Sequence, residues 1–438
     1  MKFKMETNQE ISVIGGGILG MTMALELRKK GYSVNIYEAE PGLGGLAKPW
    51  EFNGITWDKF YHVILLSDMN TRNLLKELNI EDKMNWVETK TGFYTDGKLY
   101  SMSNTVEFLK FPPLRLIDKF RLGLTIIIAS KIKNWKKLEK QHVSNWLKKW
   151  SGKRTFNKIW LPLLRAKLGE FYKETSAAFI WTTIQRMYAA RKSGLKKEMF
   201  GYIEGGYKTI LYAMQKELIN RGVKIHTLYA LKNVEVKNGK INLSFDNKPV
   251  ISTKKLIFTI PSNILVKTWP DMPTEEKEKH SSIRYLGVSC TTMLLKRQIS
   301  DFYVTNVTDN NAPFTGIIEM SALVDKKSFN GNSLVYLPKY VGSSDDIFNK
   351  THKEIHKEFK KKILEMYPEI KEEDILAMKT AMARSVFALN TIKYSAKLPE
   401  VMSSVDNVYY ANSALITNGT LNVNETIDIA KKIVEKHF

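Results

Sequence analysis

The run Gly15-Gly16-Gly17-Ile18-Leu19-Gly20 constrains this chain more than any other feature. Residues Glu10–Val13 before it read as the entry of a strand. Gly20–Lys30 after it read as a helix closed by Gly31, a natural residue just past a helix end. Tyr32–Tyr37 then alternate as a second strand, with Val34 and Ile36 on one face. Glu38 follows, eighteen residues after Gly20. Glycines alone make only a tight turn, which is the plainer reading of such a run. A strand, a Gly turn, a helix, a strand and an acid within thirty residues is the context a dinucleotide needs. The backbone can then approach a pyrophosphate where free helix N–H groups favour an anion. An acid at the position of Glu38 accepts from ribose hydroxyls and argues against a 2′-phosphate.

A second glycine cluster lies just beyond, in Glu38-Ala39-Glu40-Pro41-Gly42-Leu43-Gly44-Gly45-Leu46. A Gly doublet six residues after the ribose acid is no part of a plain nicotinamide fingerprint. Here the chain resembles the FAD-dependent superfamily of amine oxidases, protoporphyrinogen oxidases and phytoene desaturases, and more distantly the UDP-galactopyranose mutases. The resemblance continues through Gly205-Gly206-Tyr207-Lys208-Thr209-Ile210-Leu211, the strands from Gly222-Val223-Lys224-Ile225 through Leu231-Lys232-Asn233-Val234, and the strand end Ile257-Phe258-Thr259-Ile260-Pro261-Ser262. It implies an α/β fold with a Rossmann-type, doubly wound FAD domain that is discontinuous in sequence, its nucleotide site using both ends of the chain. The implied FAD contacts are Gly15, Gly17, Ile18, Leu19 and Gly20 in the first motif, then Glu38, Ala39, Gly44, Gly45 and Leu46. Phe60 and Tyr61 would follow where the chain returns beneath the flavin, and Val234 would meet the adenine. Near the C-terminus the sequence departs from the family's Ala-Gly-Asp: the apolar strand runs into Ala411-Asn412-Ser413. Asn412 and Ser413 would take over the ribityl contacts. Gly419-Thr420-Leu421-Asn422-Val423 resembles the loop and helix start facing the flavin pyrimidine, with Leu421 and Val423 as contacts.

The length, 438 residues, suggests two domains. We expect the FAD-binding domain in 8–90, 200–281 and 378–438, and a substrate domain in 91–199 and 282–377. From about Asn70 to Phe200 helical patterns dominate, and Lys350–Met366 and Glu372–Ala377 also read as helices. The single cysteine, Cys290, excludes intrachain disulfides and CxxC metal sites and fits a reducing compartment. Seven scattered histidines give no metal spacing. The apolar run Ile11–Leu25 is the nucleotide unit rather than a targeting segment. The longest later one, Leu122–Ser130, is about half the length of a bilayer span.

Net charge is +22, and between Lys110 and Lys158 fourteen Lys/Arg face two acids. Leu116, Ile117, Phe120, Leu124, Ile127 and Ile128 recur there at helical spacing, followed by Lys131, Lys133, Lys136 and Lys137. Two readings stay open: an interfacial helix seated on anionic headgroups, or a core stripe with a solvated basic end. Nucleic acid is not expected, since no binding module is present. His62 is the one catalytic side chain singled out; it is either an imidazole near flavin or substrate, or a packed aromatic-cluster histidine. The expected function is hydride transfer from an apolar, membrane-associated small molecule, isoprenoid or tetrapyrrole, to FAD. Its rivals are an amine oxidase, a mutase-like flavoenzyme with Arg165, Arg186, Arg191 and Arg384 around a sugar nucleotide, and a non-catalytic flavin-binding remnant. The expected location is cytoplasmic, peripheral on the inner face of the membrane.

Overall fold

A computed structural model describes residues 7–191, 198–309, 311–417 and 421–438. Its first sheet has five parallel strands in the order Lys224–Thr227, Tyr32–Glu38, Thr7–Ile14, Lys255–Phe258, Val408–Tyr410. Those strands read as near-continuous β-branched and aromatic runs because both faces of the sheet are covered. On one face Ile11, Val13, Val34, Ile36 and Ile257 pack under the helices Ile18–Lys29, Tyr207–Asn220 and Val423–His437. On the other, Ile14, Tyr37, Phe258 and Tyr410 meet the antiparallel strands Leu231–Lys237, Lys240–Phe245 and Ile251–Thr253. The C-terminal helix buries Ile427, Ala430, Ile433 and Val434 beside the first helix, so the last residues of the chain close the core begun by the first.

The second large sheet has seven strands in the order Ile375–Ala388, Tyr285–Leu295, Ser333–Gly342, Gly316–Glu319, Phe302–Val307, Lys90–Thr95, Lys98–Ser101. All its pairings are antiparallel except that of Phe302–Val307 with Lys90–Thr95. The helix His352–Met366 covers one face, burying Ile355, Phe359 and Ile363 against Met293, Leu295, Val335 and Leu337. The opposite face, carrying Leu286, Val288, Cys290, Tyr336, Tyr340 and Phe387, looks towards Trp57 and a layer of helices between Thr105 and Arg191.

Three expectations are corrected. Residues Met84–Glu88, Lys90–Thr95 and Lys98–Ser101 are strands inside the stretch that reads as helical. Pairing with remote strands, absent from local periodicity, decides the first two, and Lys98–Ser101 folds back on Lys90–Thr95 across the turn at Asp96-Gly97. Only Glu372–Asp374 of the expected helix at 372–377 is helical, as a short 3₁₀ turn, and Ile375 opens a 14-residue strand. That strand pairs along Tyr285–Leu295 from Ile375 to Ala388. A domain boundary at 378 would cut through it, so 375–388 belongs with the antiparallel sheet.

Candidate active site

The two glycine motifs, 25 residues apart at their centres in sequence, touch in space. Gly17 and Gly44 form a parallel bridge, and the Gly44 N–H donates to the Gly16 carbonyl at 2.8 Å. Gly44 is at φ 123 and Gly45 at φ 56, conformations that need glycine. A Cβ on Gly44 would strike Leu211 at 2.6 Å, so the segment Gly205–Leu211 packs its leucine under the second loop. Glu38 ties both loops down: one carboxylate oxygen accepts the Gly16 N–H at 2.6 Å and the other the Glu40 N–H at 2.8 Å. Each oxygen keeps a second acceptor site for a ribose hydroxyl.

The glycines of the first motif do different work. A Cβ on Gly20 would lie 2.0 Å from the Gly15 carbonyl, and one on Gly15 would lie 2.5 Å from Thr259 Oγ1. Both are needed for the fold. A Cβ on Gly17 would meet only Gly45 Cα, at 4.0 Å. The space over Gly17 is therefore open, at the N-terminus of the helix Ile18–Lys29, which no side chain caps. Ile18 and Leu19 bury their side chains in the core and present only backbone there. Free N–H groups, a positive helix end and an open cradle fit a pyrophosphate. Ala39 and Leu46 are exposed at the rim. Val234 is fully buried against Leu243 and Phe258, so its side chain belongs to the core and an adenine contact would have to come from its backbone.

Asp58 organises the return loop. It is 2% exposed; Oδ1 accepts the Tyr207 N–H at 2.9 Å and Oδ2 lies 3.3 Å from His62 Nδ1. Gly206, at φ 70, allows this approach, since a Cβ there would sit 3.0 Å from the carboxylate. A buried anion at a helix N-terminus is favourable, and it holds His62 against the Tyr207 ring, centroids 4.5 Å apart. His62 is thus both packed and oriented, and half-buried. Beside it Phe60 packs on the large sheet. The Tyr61 and Tyr340 hydroxyls share a hydrogen bond at 2.8 Å, and Tyr336 donates to the Asp58 carbonyl at 2.7 Å.

At the C-terminal end, Asn412 is buried and bonded through both side-chain ends: its amide donates to Ser262 Oγ at 3.2 Å, and its oxygen accepts the Ala414 N–H at 3.0 Å. Ser262 Oγ also meets His280 Nδ1 at 2.9 Å, and the Ser262 N–H donates to the Tyr285 hydroxyl at 3.1 Å. Asn412 therefore fixes the loop, while Ser413 keeps exposed surface. Gly419 and Thr420 lie outside the described residues. Leu421 packs towards the helical layer, and Asn422 caps the helix that begins at Val423 by accepting the Glu425 N–H.

The arginines considered for a sugar nucleotide do not converge. Arg165 pairs with Glu170, Arg186 with Asp68, and Arg384 donates to the Ser343 carbonyl; the Arg191 side chain lies outside the described residues. No helix among the described residues is long and apolar enough to cross a membrane, and none of their His, Cys, Asp and Glu side chains cluster as a metal site.

A family model, flavin containing amine oxidoreductase, matches residues 20–426. The chain belongs to that family. Among curated proteins, this flavoprotein is 24% identical over 253 residues to a zeta-carotene desaturase from Synechocystis, 52% of this chain and 50% of that one. It is 23% identical over 121 residues to protoporphyrinogen oxidase 2 of Arabidopsis thaliana, 27% of this chain and 24% of that one. The chain thus matches about half the length of the first of these relatives and less of the second. A solved oxidoreductase from Methanosarcina mazei shares the fold with a TM-score of 0.75 at 16% identity, over 98% of this chain and 100% of that one. The protein is an FAD-dependent oxidoreductase of this superfamily. Sequence reasoning missed Tyr336 and Tyr340, although two tyrosines four apart in a strand must share a face. It also missed Ser262 and His280, which carry no motif.

Proposed function

We propose that this flavoenzyme oxidises an apolar small molecule drawn from a membrane surface, of the isoprenoid or tetrapyrrole class. The observation that carries the reading is the outer face of the helix Leu116–Lys131. Leu116 is 74% exposed, Ile117 67% and Phe120 73%, and Leu124 and Ile127 are exposed too. The neighbouring helix Thr105–Lys110 adds exposed Val106 and Leu109, and buried Lys119 joins the two by donating to the Leu109 carbonyl at 2.6 Å. The core is made by Leu122, Thr125 and Ala129 instead, which supports the interfacial reading. Lys110, Arg115, Arg121 and Lys131 are exposed around this apolar surface, the arrangement of an interfacial anchor. Sinking Leu116, Ile117 and Phe120 into the acyl boundary contributes on the order of 1.5–3 kcal/mol each. Each engaged lysine adds about 1 kcal/mol on anionic lipid.

Bound FAD supplies the hydride-accepting centre. The chain's own part is to hold it and to shape the space before it. Gly17, Gly44 and Glu38 would seat the dinucleotide. Asp58 orients His62, beside the packed aromatic side chains of Tyr61, Tyr336, Tyr340 and Phe387. The test is anaerobic mixing of holoenzyme with a carotene or a porphyrinogen in vesicles, with putrescine and UDP-galactose as contrasts. Loss of oxidised-flavin absorbance with the apolar compounds alone is expected. Bleaching by the diamine, or conversion of the sugar nucleotide, would replace this reading by one of its rivals.

A further inference from the structure

Lys167, on the helix Leu161–Leu168, makes no salt bridge among the described residues. Its ammonium lies 3.6 Å from the centroid of the Tyr340 ring and 5.6 Å from that of Phe387. Tyr340 in turn holds Tyr61, the residue placed where the chain returns beneath the flavin. Lys167, Tyr61 and Tyr340 have protein around them on every side, yet each keeps accessible surface. That combination is expected of side chains lining an internal space rather than packed into a core. No acidic side chain among the described residues pairs with Lys167, and the aromatic rings are its only recorded partners.

A cation is rarely enclosed without an anion, because desolvation penalises the charged form. Aromatic faces offset only part of that penalty, and burial pushes the Lys167 amine down to about 7. The accessible surface that Lys167, Tyr61 and Tyr340 each keep is the side from which the missing anion would arrive. We propose that Lys167 anchors a carboxylate on the substrate, which makes the substrate a lipophilic acid. This rests on the apolar-substrate reading and narrows it. A carboxylate against Nζ would supply the absent counter-charge and hold the amine protonated. It would also fix one end of a long apolar molecule against Tyr61 and Tyr340. Arg165, two residues away, is not an equivalent anchor, since it is exposed and bridged to Glu170.

The experiment uses FAD-loaded protein and two probes of one chain length, oleate and oleyl alcohol, with binding read by perturbation of the flavin absorbance bands and by calorimetry. Wild type is expected to bind oleate roughly tenfold to a hundredfold more tightly than the alcohol, the strength of one charge-assisted hydrogen bond. Lys167→Met should abolish that preference, leave alcohol binding unchanged, keep FAD, and raise the thermal midpoint because an unpaired buried amine is gone. Lys167→Arg should keep the preference for the acid. Equal binding of acid and alcohol by wild type, or an undiminished preference in Lys167→Met, would overturn the assignment of Lys167 while leaving the apolar-substrate reading intact. Failure of wild type to bind either probe would remove both.

Discussion

At the scale of single residues, the glycines of the first motif divide into those the fold needs and one the ligand needs. Gly17 has φ −71 and ψ 177, a conformation open to any residue, and space above its Cα. Gly17→Val should therefore fold with an unchanged thermal midpoint in the absence of FAD and emerge colourless from gel filtration. Gly20→Ala places a methyl 2.0 Å from the Gly15 carbonyl, so the helix must shift. A loss of several kcal/mol is expected, the scale of overpacking at a close backbone contact (~1–3 kcal/mol or more). Denaturant unfolding and flavin absorbance on both variants check the pair; yellow Gly17→Val protein would mean that the cradle is not the FAD site. Glu38 was legible from its spacing, but its two backbone bonds were not. A carboxylate that locks both glycine loops can be seen only once the loops are side by side.

At the scale of elements, the helix Leu116–Lys131 inverts the usual use of an amphipathic pattern. Periodicity announces that one face is apolar, and most such faces point inward. Here the more polar row of Asp118, Lys119, Leu122, Thr125 and Ala129 turns inward, and the larger side chains look out. An apolar surface of that kind is exposed for a purpose. Changing Leu116, Ile117 and Phe120 together to Gln should release the protein from anionic liposomes in flotation while FAD stays bound. Changing Lys131, Lys133, Lys136 and Lys137 to Glu should do the same, and more steeply at low salt, since screening sets in over roughly 8 Å at physiological ionic strength. If wild type stays at the bottom of the gradient with anionic vesicles in low salt, the face serves something other than a membrane. The neighbouring strands Met84–Glu88, Lys90–Thr95 and Lys98–Ser101 show the opposite failing of local patterns. The registers of the first two are set by partners more than a hundred residues away, at Met199–Ile203 and Phe302–Val307, and Lys98–Ser101 follows by pairing with Lys90–Thr95.

At the scale of the whole molecule, acid should find a weak point where distant segments meet. His280 is fully buried, with Nδ1 on Ser262 and the ring edge-on to Tyr410, centroids 4.4 Å apart. Burial holds its imidazole down to about 4, against 6.5 in the unfolded chain. Above pH 6.5 both states are neutral and the residue costs nothing. As pH falls from 6.5 towards 4 the unfolded state takes up the proton and the folded state does not, so stability drops by up to ~3 kcal/mol. Because Ser262 also holds Asn412, FAD release should accompany that loss. His280→Gln, which cannot titrate, should flatten stability and flavin retention between pH 6.5 and 4, read by urea titration and flavin fluorescence. An unchanged acid profile in the variant would place the weak point elsewhere.

What the sequence determined by itself is local and covalent in origin. Glycines at fixed spacing, an acid at a strand end, an asparagine before a helix and a basic stretch each carry their chemistry in a few neighbouring residues. They were enough for the FAD fold and for the motif residues that would hold the cofactor. Only the tertiary structure decided that Gly17 meets Gly44, that Asp58 serves both Tyr207 and His62, and that Leu116 and Phe120 face outward. It alone brings Lys167 to Tyr340 with no acid beside it among the described residues. The physical reason is that burial, counter-charge and strand register depend on which remote segments share a surface. For Gly17 and Gly44, Asp58 and Tyr207, or Lys167 and Tyr340, no short window of the chain contains both partners.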